Sequence, residues 1–252
     1  MPAKHTLFWL LLWSLPLAAQ STENCRALSR RGLLPEARRC FEKLASSADP
    51  YFQAEAFWGL GLYKEANQQF RRAVNAQPKN PEYRVRWGRL FLERFNKQDA
   101  ANLFQEALAL DKKHAGALLG LALAASDGFG SKAAELAEQA LEADPKLAEA
   151  RELLARLALE DNHPEQAIEQ AAKALAIDPE SLPAMAIHAT IDWLNDRDGK
   201  PWMDRIFQVN PVYAEAYATA GYFFVLNRRY EEGIRFYRKA IELNPRLSEA
   251  RA

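Results

Sequence analysis

Neither sign of charge is in excess in this chain: Lys and Arg total 33, Asp and Glu total 33, and the formal net charge is zero. A nucleic-acid groove or a polybasic membrane surface needs net positive charge, so neither is expected. Glycine is scarce, at 11 of 252 residues, and β-branched runs are few, while alanine is abundant. Such a composition points to helix throughout. A membrane span needs roughly 20 apolar residues. The apolar run from Leu7 to Ala19 has only 13 and contains Pro16. It is followed by small residues and preceded by a weakly basic start, which reads as a secretory signal peptide over residues 1–20. An uncleaved membrane anchor is the alternative. The rest, 21–252, is expected to be exported to a periplasmic or extracellular space, and its length suffices for a stable core.

Cysteine is nearly absent too. Cys25 and Cys40 flank the turn signal "RRGLLPE" at residues 30–36, each about as far from its centre as the other. Two helices folding back at Gly32 and Leu33 would set the sulfurs opposite one another. In an oxidising compartment a Cys25–Cys40 disulfide is expected, and two packed thiols are the alternative.

Catalytic patterns are missing as well. There is no Gly-x-Ser-x-Gly elbow, no His-Glu-x-x-His and no phosphate-binding glycine loop. The two glycines of "SDGFGSK" follow no strand and read as a helix–helix turn. His114 and His163 sit in polar junctions, and His188 sits on an apolar helix face. Asp192, four residues on, shares that face, making a candidate pH-sensitive pair with no third ligand. The carboxylates of residues 132–161 are interleaved with Lys and Arg and read as solvated helix faces. No catalytic residue, metal site, cofactor or small-molecule substrate is expected.

What the chain has instead is a period. The pairs Asp49-Pro50, Gln77-Pro78, Asp111-Lys112, Asp144-Pro145, Asp178-Pro179, Asn210-Pro211 and Asn244-Pro245 recur at steps of 28, 34, 33, 34, 32 and 34 residues. Each pair closes one helix and lets the next begin. Trp87, Gly88, Phe91, Ala100, Phe104 and Ala107 in one unit match Ala220, Gly221, Phe224, Gly233, Tyr237 and Ala240 in another. Their steps of three and four put them on one helical face. A turn with Asn, Asp or Gly falls midway, as in "RFNKQDA" and "EDNHPEQA", so each unit reads as two antiparallel helices.

In these motifs the chain resembles the tetratricopeptide-repeat (TPR) family, over residues 22–252. The units are 22–50, 51–80, 81–114, 115–147, 148–181, 182–213 and 214–247, with a partial repeat at 248–252. The first two are expected to have shortened first helices. In the unit 182–213 the turn is longer and the second helix is cut to about 201–209. Trp193 and Trp202 there either face a ligand or replace lost packing. The resemblance implies an all-α, right-handed α-solenoid of antiparallel helix pairs, whose concave groove binds a protein or peptide partner. The register places Val85, Arg89, Leu119, Leu123, Arg156, Trp193, Tyr222 and Val225 on that groove. The family's carboxylate-clamping positions are apolar or acidic here, so that mode is not expected.

The apolar residues of "YEEGIRFYRKAIEL" spread over more than one face, and "LSEARA" is too short to cover them. The array therefore reads as interrupted in its last repeat, with self-association through that end as one consequence. Two functional classes follow: a non-catalytic exported scaffold, or the N-terminal repeat region of a longer exported enzyme such as a metallopeptidase.

Overall fold

The computed structural model describes residues 17–128, 130–245 and 247, with side chains described from Ser21 onward. The signal-peptide reading therefore lies outside the described residues except for the backbone of 17–20, and the partial repeat 248–252 lies wholly outside them. Among the described residues there are 14 α-helices and no strand. They form a right-handed α-solenoid of seven antiparallel pairs. The pairs are α1 (Leu17–Arg30) with α2 (Leu34–Leu44), α3 (Pro50–Gly59) with α4 (Tyr63–Ala76), and α5 (Pro81–Glu93) with α6 (Lys97–Leu110). Next come α7 (Ala115–Ala125) with α8 (Gly130–Ala143), and α9 (Ala148–Glu160) with α10 (Pro164–Ile177). The last two are α11 (Leu182–Leu194) with α12 (Lys200–Val209), and α13 (Glu215–Leu226) with α14 (Tyr230–Leu243). The first helix α1 begins at Leu17, inside the segment read as a signal peptide, so residues 22–30 are the part of it that belongs to the first unit, and α3 has 10 residues.

Six of the turns inside the pairs share one device. Gly32, Gly61, Phe95, Asn162, Asp196 and Arg228 all adopt positive φ, between 56° and 75°. At each, the amide one residue further on bonds back five residues, as Leu33 N–H does to Leu28 and Asn96 N–H to Phe91. This Schellman closure satisfies carbonyls that the helix end would leave unpaired. The junctions between pairs use a different device. Asp111, Asp144, Asp178 and Asn210 accept from the backbone N–H two residues on, at 3.1, 3.0, 3.0 and 3.0 Å. The next helix starts on a side-chain cap: Asp49 to Tyr51, Asn80 to Glu82 and Ser181 to Ala184. His114 caps α7 by accepting from Ala117 at 3.3 Å through Nδ1, so it is a structural residue.

Several contacts within and between pairs set an aromatic ring against a residue without a Cβ. Phe104, fully buried, lies against both Gly88 and Gly120, where an added Cβ would come within 2.7 and 2.3 Å of its ring. Phe41 meets Gly59 in the same way. In the alanine-rich units Ala133, Ala137, Ala140, Ala167, Ala171 and Ala174 are all fully buried, so helix backbones approach directly. The 10-residue α12 leaves a gap that two indole rings fill. Trp202 stacks on His188 at 4.3 Å, and Trp193 packs at 4.7 Å from Phe236 of α14.

Candidate functional site

The first helices of successive pairs touch one another: α1 with α3, α5 with α7, α9 with α11, and α11 with α13. They form one contacting row along the array, the side that the family resemblance implies is the inner wall of the superhelix. At the N-terminal end this wall carries an ion cluster. Glu55 of α3, only 2% exposed, receives Arg86 of α5 through Nε at 2.7 Å and Nη2 at 3.0 Å, and Arg26 of α1 at 2.5 Å. Burial pushes the Glu55 carboxyl up, but the two guanidinium groups outweigh it and hold it below the usual carboxylate range. Arg86 also lies 4.6 Å over the Trp58 ring, and Trp58 and Tyr63 both donate to Glu93, at 2.5 and 2.8 Å. These groups border an opening of about 850 Å³.

Farther along the wall the contacts skip repeats. Arg89 of α5 reaches Glu149 of α9 at 2.5 Å. Ser181 donates to Glu152 at 2.6 Å, and burial raises the Glu152 carboxyl above its ordinary range. Tyr222 of α13 lies within electrostatic reach of Glu160 and Arg156 of α9, and its hydroxyl is raised by burial and then by Glu160. A second cavity, of about 760 Å³, opens here between the α1–α2 turn and the junctions leading into α9, α11 and α13. Its wall includes Arg30, Arg31, Glu152, Glu180, Asn210 and Tyr213.

The residues expected on the groove divide into three groups. Val85 and Leu119 are corrected: they are 3% and 0% exposed and belong to the core. Val85 is covered by α7 at Gly116, and Leu119 packs among Leu118, Ala122, Leu153 and Leu154. At both positions the neighbouring first helix covers the side chain. Trp193 is occupied by Phe236 and Tyr217, and Arg89 and Arg156 are held by Glu149 and Glu160. Leu123 is half-buried against the core, and Tyr222 and Val225 are 44% and 37% exposed. No hydrogen bond between His188 and Asp192 is found among the described residues, and Asp192 instead accepts from Arg197 at 3.0 Å. Burial lowers the His188 imidazole, and the charge of Asp192 acts in the opposite direction.

Sequence reasoning placed Glu152 on the groove and found the turn at 30–36, but it missed the Glu55 cluster, the cavity residue Glu180 and the part that residues 30–32 play in the cavity wall. Only the positions of Arg26, Glu55 and Arg86, at steps of 29 and 31, hinted that charge recurs on one face of consecutive first helices. The sulfurs of Cys25 and Cys40 are bonded, with Cα atoms 5.4 Å apart, and so tie α1 to α2. This row of first helices thus carries paired charges, aromatic edges and two openings.

Sequence models described as tetratricopeptide repeats match residues 85–128, 126–181 and 214–247, together about half of the chain. No curated protein matches the sequence. Among solved structures, the chain is similar to a tetratricopeptide repeat protein from Parabacteroides merdae, at 15% identity and TM-score 0.60, covering 93% of this chain and 96% of that one. It is also similar to pilF of Pseudomonas aeruginosa, at 16% identity and TM-score 0.57, covering 86% and 96%. A third similarity, to the APC/C hetero-tetramer Cut9–Hcn1, has TM-score 0.67 at 11% identity and covers 95% of this chain and 48% of that one.

Proposed function

The chain belongs to the tetratricopeptide-repeat family, and on that premise we propose that it is a non-catalytic exported scaffold holding a protein or peptide partner along its inner face. Proteins of this family are generally non-catalytic scaffolds for protein–protein interaction. The observation that carries the groove reading is the opening of about 760 Å³ on the inner wall, bordered by three junctions and the α1–α2 turn. Tyr222 and Val225 stay exposed on the first helix of the last pair. Aromatic and aliphatic side chains that lose solvent on binding are the usual energetic anchors of such interfaces. Paired charges around them give register more than affinity. Export is supported by the apolar segment at residues 7–19 and by the bonded pair Cys25–Cys40, which needs an oxidising compartment to persist. Self-association is supported by Tyr230 and Ile234, which remain 56% and 48% exposed on α14.

The test is capture from an envelope fraction, with wild-type protein beside Tyr222→Ala and Val225→Ala. A band retained by wild type and lost with both variants is expected. Equal capture by all three would remove the groove from the account, and tagged protein confined to the cytosolic fraction would remove export.

A further inference from the structure

Two contacts join segments that lie far apart in the sequence. The Asn210 side-chain amide donates to the Arg30 carbonyl at 2.9 Å, and the Arg31 guanidinium meets Glu180 at 3.1 Å. Both start on the turn between α1 and α2 and end on the junctions that lead into α11 and α13. Two residue choices at this contact exceed what the repeat requires. At Asp111, Asp144 and Asp178 the junction side chain accepts a backbone amide. Asn210 keeps that role toward Val212 and adds the donor that reaches Arg30, which a carboxylate could not supply. Gly32 is the second choice. Its positive φ alone does not demand glycine, because Phe95, Asn162, Asp196 and Arg228 make the same turn. Space does: a Cβ at Gly32 would lie 2.4 Å from Asn210 Oδ1 and 3.0 Å from Val212 Cγ2, whereas at Gly61 nothing lies within 4 Å.

We propose that the turn of residues 30–33 is a latch that closes the superhelix over the cavity of about 760 Å³ and gates entry to the inner face. This rests on the reading of that face as the binding surface. Arg30, Arg31 and Gly32 border the cavity on one side, with Glu180, Asn210 and Val212 on the other, so withdrawal of the turn opens it laterally. The Cys25–Cys40 bond pins α1 to α2 and holds the turn in its docking shape. The closing contacts are weak enough to reverse. One neutral hydrogen bond and one exposed ion pair shift a closed-to-open ratio by about tenfold. A solenoid opens by small rotations spread over successive interfaces, so no single hinge is needed.

The latch is tested on the folded, disulfide-bonded chain by small-angle X-ray scattering together with hydroxyl-radical labelling of Tyr213, which lines the cavity. Asn210→Asp and Glu180→Arg are each expected to raise the radius of gyration and to raise Tyr213 labelling several-fold, at unchanged helicity. Adding Arg31→Glu to Glu180→Arg restores both wild-type values. If Asn210→Asp loses helicity, the decision falls to the exposed Glu180→Arg and its reversal partner. Unchanged scattering, or unchanged labelling, in the folded variants overturns the latch. Neither readout needs a partner. An inner face that captures nothing therefore defeats the binding reading alone, and a latch that never opens defeats this proposal whatever is captured.

Discussion

Arg86 and Glu55 form a bidentate ion pair between adjacent first helices, at 2.7 and 3.0 Å, with the carboxylate only 2% exposed. Arg26 closes on the same carboxylate from the preceding pair. Three repeats are thus tied through one side chain. Glu55→Gln leaves two guanidinium groups short of their counter-charge and is expected to cost about 3–5 kcal/mol, read by urea denaturation. The pH dependence has a definite sign. The folded Glu55 carboxyl lies below its unfolded value, so its contribution is present above about pH 4.3 and is lost as pH falls through the folded value. Burial-raised Glu82 and Glu152 act in the opposite sense, so the informative quantity is wild type minus Glu55→Gln across that range. A pH-independent difference would contradict the assignment.

Phe104 sits between two glycines, and that arrangement sets a test of packing. Gly88→Ala and Gly120→Ala each drive a methyl into its ring and are expected to cost about 1–3 kcal/mol. Phe95→Gly should act the other way. Phe95 is 72% exposed at positive φ, and glycine there relieves about 1 kcal/mol of backbone strain. Thermal melts of the three variants check both directions, and a stabilised Gly120→Ala would contradict the ring contact.

The disulfide makes a local prediction. In a solenoid each unit is stabilised mainly by its neighbours. Opening the 15-residue loop between Cys25 and Cys40 should therefore cost about 3 kcal/mol, concentrated in the first pair. Hydrogen exchange after Cys25→Ser/Cys40→Ser is expected to rise across 21–44 and to stay at wild-type levels across 81–177. Peptide mapping of the unreduced protein should show the two cysteines linked.

Trp193 and Tyr222 should separate stability from binding. Trp193 packs on Phe236 and lies over Gly199, so Trp193→Ala is expected to lower stability by about 3 kcal/mol. Tyr222→Ala removes an exposed ring and should leave the melting temperature within about 2 °C of wild type while reducing partner capture. A Trp193→Ala protein of wild-type stability would return that indole to the binding face.

The helix pairs were legible because each repeat writes its own local physics. The junctions at 111, 144, 178 and 210 announce themselves by an Asx residue, and the Gly88–Phe104 contact by helical spacing. Val85 and Leu119 were misplaced because register gives a side chain's direction and not how closely the next helix packs over it. The Asn210–Arg30 contact was out of reach for another reason. It depends on the curvature summed over five repeat interfaces, which no single unit encodes. The role of Arg26 and Arg86 was hidden by their setting among the many solvated charges of the sequence.

The account rests on an inner wall that receives a partner, and site-specific photo-cross-linking tests this most directly. A photoreactive residue at Tyr222 on the first helix of the last pair is compared with one at Lys173, exposed on the second helix α10 and bordering neither opening, in an envelope fraction. The account predicts a discrete adduct from position 222 and none from position 173. Adducts of the same mass and yield from both positions, or from position 173 alone, would contradict it.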